Sequence, residues 1–217
     1  MNDFDWHGSD ETWSVDDKDF ARVIALSDGV FAFALTLLAV NLTLPSLEAQ
    51  KAATELPGAL WNMRGVFALY GLAFLIVYSK WNTHRRLVRI LERYDRRLLT
   101  LNMLFLFFVA AIPLPAWLIG TWGNQPVAVV FFAGYMASIT LVQLAMWIYA
   151  TRRHRLIAPT VPSAWVRLNT IGTALIVVVF LGSIPLALWN PNVAEYSWLL
   201  LLFVSLLAPR VDRLFAR

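Results

Sequence analysis

Residues 22–44 read R-V-I-A-L-S-D-G-V-F-A-F-A-L-T-L-L-A-V-N-L-T-L, an apolar helix former carrying an aspartate, Asp28, six residues in from its basic start. Roughly 20 residues rising 1.5 Å each cross a hydrocarbon core of about 30 Å, so the stretch is long enough to span a bilayer. An acid inside such a segment costs roughly 3 kcal/mol on insertion scales and has to face protein or water. Asp28 is therefore the first candidate for a functional residue, and whatever surrounds it has to be polar.

The rest of the chain agrees with a membrane setting. Of 217 residues, 59% are hydrophobic and only 15% charged, too little charge to keep a soluble domain of this size in solution. Five further apolar runs follow, at about 61–79, 98–119, 127–150, 165–189 and 193–208. The last covers only about 24 Å as a helix, so it tilts or continues past Pro209. The expected fold is all-α and polytopic, with six transmembrane helices: an acidic cytoplasmic tail over 1–21 and a single six-helix transmembrane domain over 22–217.

Basic residues set the expected orientation. Lys80, Arg85, Arg86, Arg89, Arg93, Arg96 and Arg97 crowd the connection after the second run; Arg152, Arg153, Arg155 and Arg167 mark the one after the fourth; Arg210, Arg213 and Arg217 end the chain. The other side holds only Lys51 and Arg64. The positive-inside rule then puts both termini in the cytoplasm, which an even number of spans permits. Trp61, Trp117, Trp122, Trp189 and Trp198 fall near outer ends and Trp81, Trp147 and Trp165 near inner ones, as aromatic belts do. The formal charge of +4 reads as cytoplasmic anchoring to anionic lipid, with no nucleic acid as partner. The acidic first 21 residues are the reverse of a signal peptide's basic start.

The chemical inventory is small. There is no cysteine, hence no disulfide or thiol chemistry, and the three histidines are His7, His84 and His154. Hydrolase and zinc signatures are missing, so no enzyme activity, cofactor or bound metal is expected. The carbonyl-filter motif T-V-G-Y-G is absent too.

As a helix, the first run places Leu26, Val30, Phe33, Leu37, Val40 and Leu44 on one stripe. Beside it run Asp28, Ala32, Thr36 and Ala39, small or polar, which favour close helix approach in lipid. The large stripe fits two roles: packing on neighbours or lipid, or facing a pore axis that it closes by dewetting. The second role needs a ring of copies, hence a symmetric homo-oligomer. Asp28 is about 9 Å of rise and about 240° of rotation from Arg22, so the two are not an i,i+4 pair. Trp81, His84 and Asn102, predicted at similar depth, can each donate to its carboxylate. Pro113, Pro115 and Pro185 are placed to kink or end their helices, and Pro45 and Pro57 to bracket a short outer segment, 46–56.

The pattern R-x-x-x-L-S-D-G-V-F-A-F-A-L-T-L-L resembles the R-x-x-x-F-S-D signature that opens the prokaryotic transmembrane-protein-175 potassium channel family. Trp81 and His84, then Asp95 before Leu98 and Leu99, Asn102, and Pro113 with Pro115 follow in the family's order. The resemblance implies a six-span subunit of a homotetramer in a prokaryotic plasma membrane, passing potassium ions down their gradient through a pore lined by the first helix. It implies pore-facing apolar positions at Phe33, Leu37 and Val40, a selectivity-associated threonine at Thr36, and a structural polar network of Arg22, Ser27, Asp28, Trp81, His84 and Asn102. This chain departs from the pattern at Leu26 for the signature phenylalanine, at Phe33 for a common isoleucine, and at Asn41 where relatives often carry an acid. Two other functions compete with a potassium channel: a proton-coupled secondary transporter relaying through Asp28 and His84, and a non-conducting membrane scaffold.

Overall fold

The first helix begins before the apolar run does. In the computed structural model, which describes residues 12–40, 42 and 52–201, helix α1 spans Lys18–Val40. Asp17 starts it: its carbonyl accepts from Phe20 N at 3.1 Å and its Oδ1 from Asp19 N at 3.3 Å. Two acids at this end also suit the positive pole of the helix dipole. Among the described residues of the segment read as an acidic tail are a three-residue strand, β1 (Thr12–Ser14), and the first turn of α1.

Helices α2 (Ala52–Asn62) and α3 (Arg64–Ile90) follow, then strand β2 (Arg93–Asp95), α4 (Arg96–Ala110), α5 (Pro113–Trp122) and α6 (Pro126–Thr151). A short 3-10 turn (Arg152–His154) leads to α7 (Ser163–Trp189) and α8 (Pro191–Ser197). The molecule is a helical, multi-pass membrane protein: among the described residues four stretches are long and apolar enough to cross a bilayer, or five where the bent pair of α2 and α3 is counted as one span. The sixth expected span, 193–208, is described only to Leu201, where α8 holds seven residues. Asn41, Leu44, Pro45, Lys51, Pro209 and the last three arginines lie outside the described residues.

Several local expectations change. Helix α3 runs on to Ile90, so Lys80, Arg85, Arg86 and Arg89 ride on helix where a loop was expected. Straight-chain lysine and arginine are good helix formers, and no glycine or proline interrupts 80–90. Pro57 sits inside α2 and Pro185 inside α7, neither ending its helix. The break before Pro113 does occur, at Ala111 (φ −96°, ψ 3°), because Pro113 has no N–H to donate back along the helix.

The core places α1 against α3 and α4, and α6 against α7, α4 and α5. Helix α1 buries Phe20, Ser27, Phe31, Ala34 and Leu38, a stripe at spacings close to helical periodicity. Helix α6 buries Ala128, Ala133, Ala137 and Ala150, small enough for neighbouring backbones to approach closely where lipid supplies no hydrophobic drive. At one end the connectors form a cap. β1 pairs antiparallel with β2, and Glu92 N and Arg93 N both donate to Leu156 O.

Candidate functional site

The stripe that α1 buries is not the stripe of large residues picked out in its sequence. Phe31 is 2% exposed and Ala34 fully buried, whereas Phe33 is 60% and Val40 75% exposed in the single chain. Leu26 shares the exposed side; Val30 and Leu37 sit at its edge, half-buried. Ala25, Gly29, Ala32 and Thr36 complete that face. The Thr36 hydroxyl donates back to Phe33 O at 2.8 Å, leaving its oxygen able to accept from outside the helix. One α1 face thus anchors the helix to its neighbours in the chain, and the opposite face is exposed in the single chain.

Behind it lies a chain of polar contacts whose direction can be worked out. Ser27 Oγ donates to Val23 O at 2.9 Å, so it can only accept from Asn102 Nδ2 at 3.1 Å. That turns Asn102 Oδ1 toward His84 Nε2, 2.8 Å away, which must then carry a proton and donate. The imidazole is stacked on Phe105 at 5.7 Å and tilted against Phe31 at 5.8 Å. Asp28 enters a separate pair, accepting from Trp81 Nε1 at 2.9 Å while Arg85 lies over the same indole at 5.2 Å. Asp28 therefore has Trp81 as its partner, and His84 and Asn102 serve Ser27 instead.

Arg22 is the expected network residue that the structure leaves apart. It faces Asp19 across 3.9 Å in an exposed pair. Its position on the helix wheel explains this: it shares a side with Phe33 and Val40, far round from Ser27.

Sequence reasoning missed a second polar seam, between α3 and α6. Lys80, only 7% exposed, donates to Thr140 Oγ1 at 2.6 Å, and Gln143 Nε2 donates to Lys80 O at 3.1 Å. Next to it a cavity of about 10 Å³, room for one water, is lined by Thr83, His84, Gln143, Trp147 and Thr173, among others. The signal available in sequence was the spacing: Lys80 and His84 are four apart, so a helix continuing past residue 79 puts them on one face. The other missed cluster is at the cap. Asp95 is fully buried; it accepts from Leu98 N at 2.9 Å to cap α4, from the Tyr149 hydroxyl, and from Arg155 at 3.3 Å.

Comparison with known proteins places this arrangement. The family model described as endosomal/lysosomal potassium channel TMEM175 matches residues 22–113, which contain every α1 and network residue named above from Arg22 to Asn102. A Streptomyces collinus protein named as a potassium channel is 32% identical over 166 residues, 73% of this chain and 77% of that relative. The chain belongs to the TMEM175 family. A second relative, from Chamaesiphon minutus and also named as a potassium channel, is 30% identical over 148 residues, 65% of this chain and 70% of its own. The crystal structure of a TMEM175 homologue from Chamaesiphon minutus matches with a TM-score of 0.71 over 88% of this chain and 99% of that one. At 23% identity that likeness speaks for the TMEM175 fold. TMEM175 proteins are ion channels, not enzymes.

Proposed function

We propose that this chain is the subunit of a potassium-preferring cation channel, a homotetramer whose pore is lined by α1. The observation that carries the reading is the division of α1 into two faces. Lipid would accept Phe33 and Val40, but it is a poor solvent for the Thr36 hydroxyl and the Arg22 charge, which share that exposed face. A water-filled axis shared by several copies accommodates both kinds of residue. Small residues Ala25, Gly29 and Ala32 let those copies approach. Phe33, Leu37 and Val40 then form a hydrophobic constriction that has to widen and wet to conduct, and Thr36 offers the oxygen nearest to it.

The remaining residues have supporting roles. Ser27, Asn102 and His84, with Asp28 and Trp81, hold α1 to α3 and α4. Both termini face the cytoplasm of a prokaryotic cell, and the arginines of α3 and the adjoining connector meet anionic lipid there. The bacterial relatives named as potassium channels support the choice of ion. A proton relay between Asp28 and His84 has less support, because the two groups enter different hydrogen bonds.

The test is cation flux from liposomes holding the purified protein, potassium against sodium. Flux down the gradient that prefers potassium, with a larger and less selective leak in Leu37→Ala, is the expected result. A leak in Leu37→Ala indistinguishable from wild type would remove α1 from the pore, and no flux for either ion would leave the scaffold.

A further inference from the structure

The inner end of α1 is gripped by one side chain from another part of the molecule. Tyr94, 4% exposed on β2, lies 5.5 Å from the ring of Trp13 on β1 and is stacked on Phe20 at 4.9 Å in the first turn of α1. The backbone reinforces the grip. β1 and β2 pair in the register Thr12↔Asp95, Trp13↔Tyr94 and Ser14↔Arg93, and Val15 N donates to Glu92 O at 3.2 Å.

The two sides of this clasp are unequal. β2 is fixed on its far side: Asp95 binds Leu98 N, Tyr149 and Arg155, Leu156 O accepts from Glu92 N at 2.9 Å, and Ile90 O accepts from Ala158 N at 3.1 Å. It is thus tied to α4, to α6 and to the connector before α7. Among the described residues, β1 is held by its three paired residues, the adjoining Val15 N–Glu92 O bond and the aromatic contacts, and a two-stranded sheet is marginal in water by itself. If the clasp parts, it parts between β1 and β2.

Three residues separate β1 from α1, so β1 acts directly on that helix. The buried face of α1 is close-packed, and close-packed interfaces shift between discrete arrangements more readily than they deform. To widen a ring made of α1 copies, the helix has to move as a body and carry its inner end along.

We propose that Tyr94 is a positioning residue and β1 a releasable clip, which together hold α1 where the constriction is narrow. The proposal rests on the reading of α1 as the pore helix. Exposed Ser14 and Arg93 are free of the ring contacts, and the Val15–Glu92 bond makes them a non-hydrogen-bonded pair, with Cα atoms about 4.5 Å apart. That is within disulfide range, about 4.4–6.8 Å. The chain has no cysteine of its own, so S14C/R93C introduces a single lockable pair per subunit.

The experiment is potassium efflux from liposomes containing full-length S14C/R93C, measured on one preparation after oxidation and again after reduction. Oxidised protein is expected to conduct severalfold more slowly, with recovery on reduction. Tyr94→Ala is expected to raise basal efflux severalfold, and Tyr94→Phe, which keeps the ring, to stay at the wild-type level. Equal efflux in the oxidised and reduced states, with the crosslink complete by mass spectrometry, overturns the clip. Wild-type protein that passes no cation overturns the channel reading and the clip together, whereas flux that ignores the lock overturns the clip alone.

Discussion

Asn102 is the residue on which the support behind α1 turns, because it bridges His84 of α3 and Ser27 of α1. It accepts from His84 and donates to Ser27, and all three are buried. Asn102→Leu keeps the volume but leaves the His84 N–H without an acceptor, a loss of about 1–3 kcal/mol for a buried donor. Thermal unfolding in detergent should show the variant melting well below wild type. Asp28 makes a different prediction. Asp28→Asn retains an oxygen to accept from Trp81, so channel flux should stay close to wild type. A collapse of flux in that variant, with the protein still folded, would argue for proton relay through the carboxylate. The sequence narrowed the partner of Asp28 to Trp81, His84 or Asn102, because an acid in an apolar helix demands a partner at its own depth, and of these Trp81 is the one that bonds it. The Lys80–Thr140 bond was not legible there, since it joins residues 60 apart through a helix packing that no local spacing encodes.

At the level of the element, α1 shows how adjacent residues can have opposite consequences. Ala34 is fully buried against the subunit and Phe33 is mostly exposed. Ala34→Leu forces extra methylenes into a close-packed interface, at a cost of about 1–3 kcal/mol, and should lower the melting temperature. Phe33→Ala should leave the melting of the subunit nearly unchanged and instead increase cation leak. If both substitutions act on stability alone, the exposed face has no part in conduction. The helical period picked out the stripe of Phe33, Leu37 and Val40 and the small or polar one beside it, but not the stripe that α1 buries. Phe31, Ala34 and Leu38 are buried because α3 and α4 approach from their side, information carried by the other helices. Helix ends were the weaker part of the reading. Hydropathy ended the second run at residue 79, yet the backbone stays helical to Ile90, since arginine-rich sequence loses apolar character without losing helix propensity. β1 left no sequence trace at all, as three residues are too few to display a period.

The whole molecule raises the question of how many chains make one pathway. Gly29 offers a clean way to ask it. Gly29 lies on the exposed face of α1, and a Cβ there would meet nothing within 4 Å in the subunit. A larger side chain at this position is therefore acceptable to the fold of one chain, and helix propensity even favours it. In a ring of α1 copies the same position lies among small residues at the line of closest approach, where added bulk has no room. Wild-type protein in mild detergent is expected to behave as four copies of the 24.6 kDa chain by native mass spectrometry. Gly29→Leu should melt like wild type while shifting toward smaller species, losing flux, or both. Retention of the full assembly together with wild-type flux would mean that α1 copies do not meet there. The exposed face would then belong to lipid, and the arginine and threonine it carries would lose the shared aqueous axis that explains them.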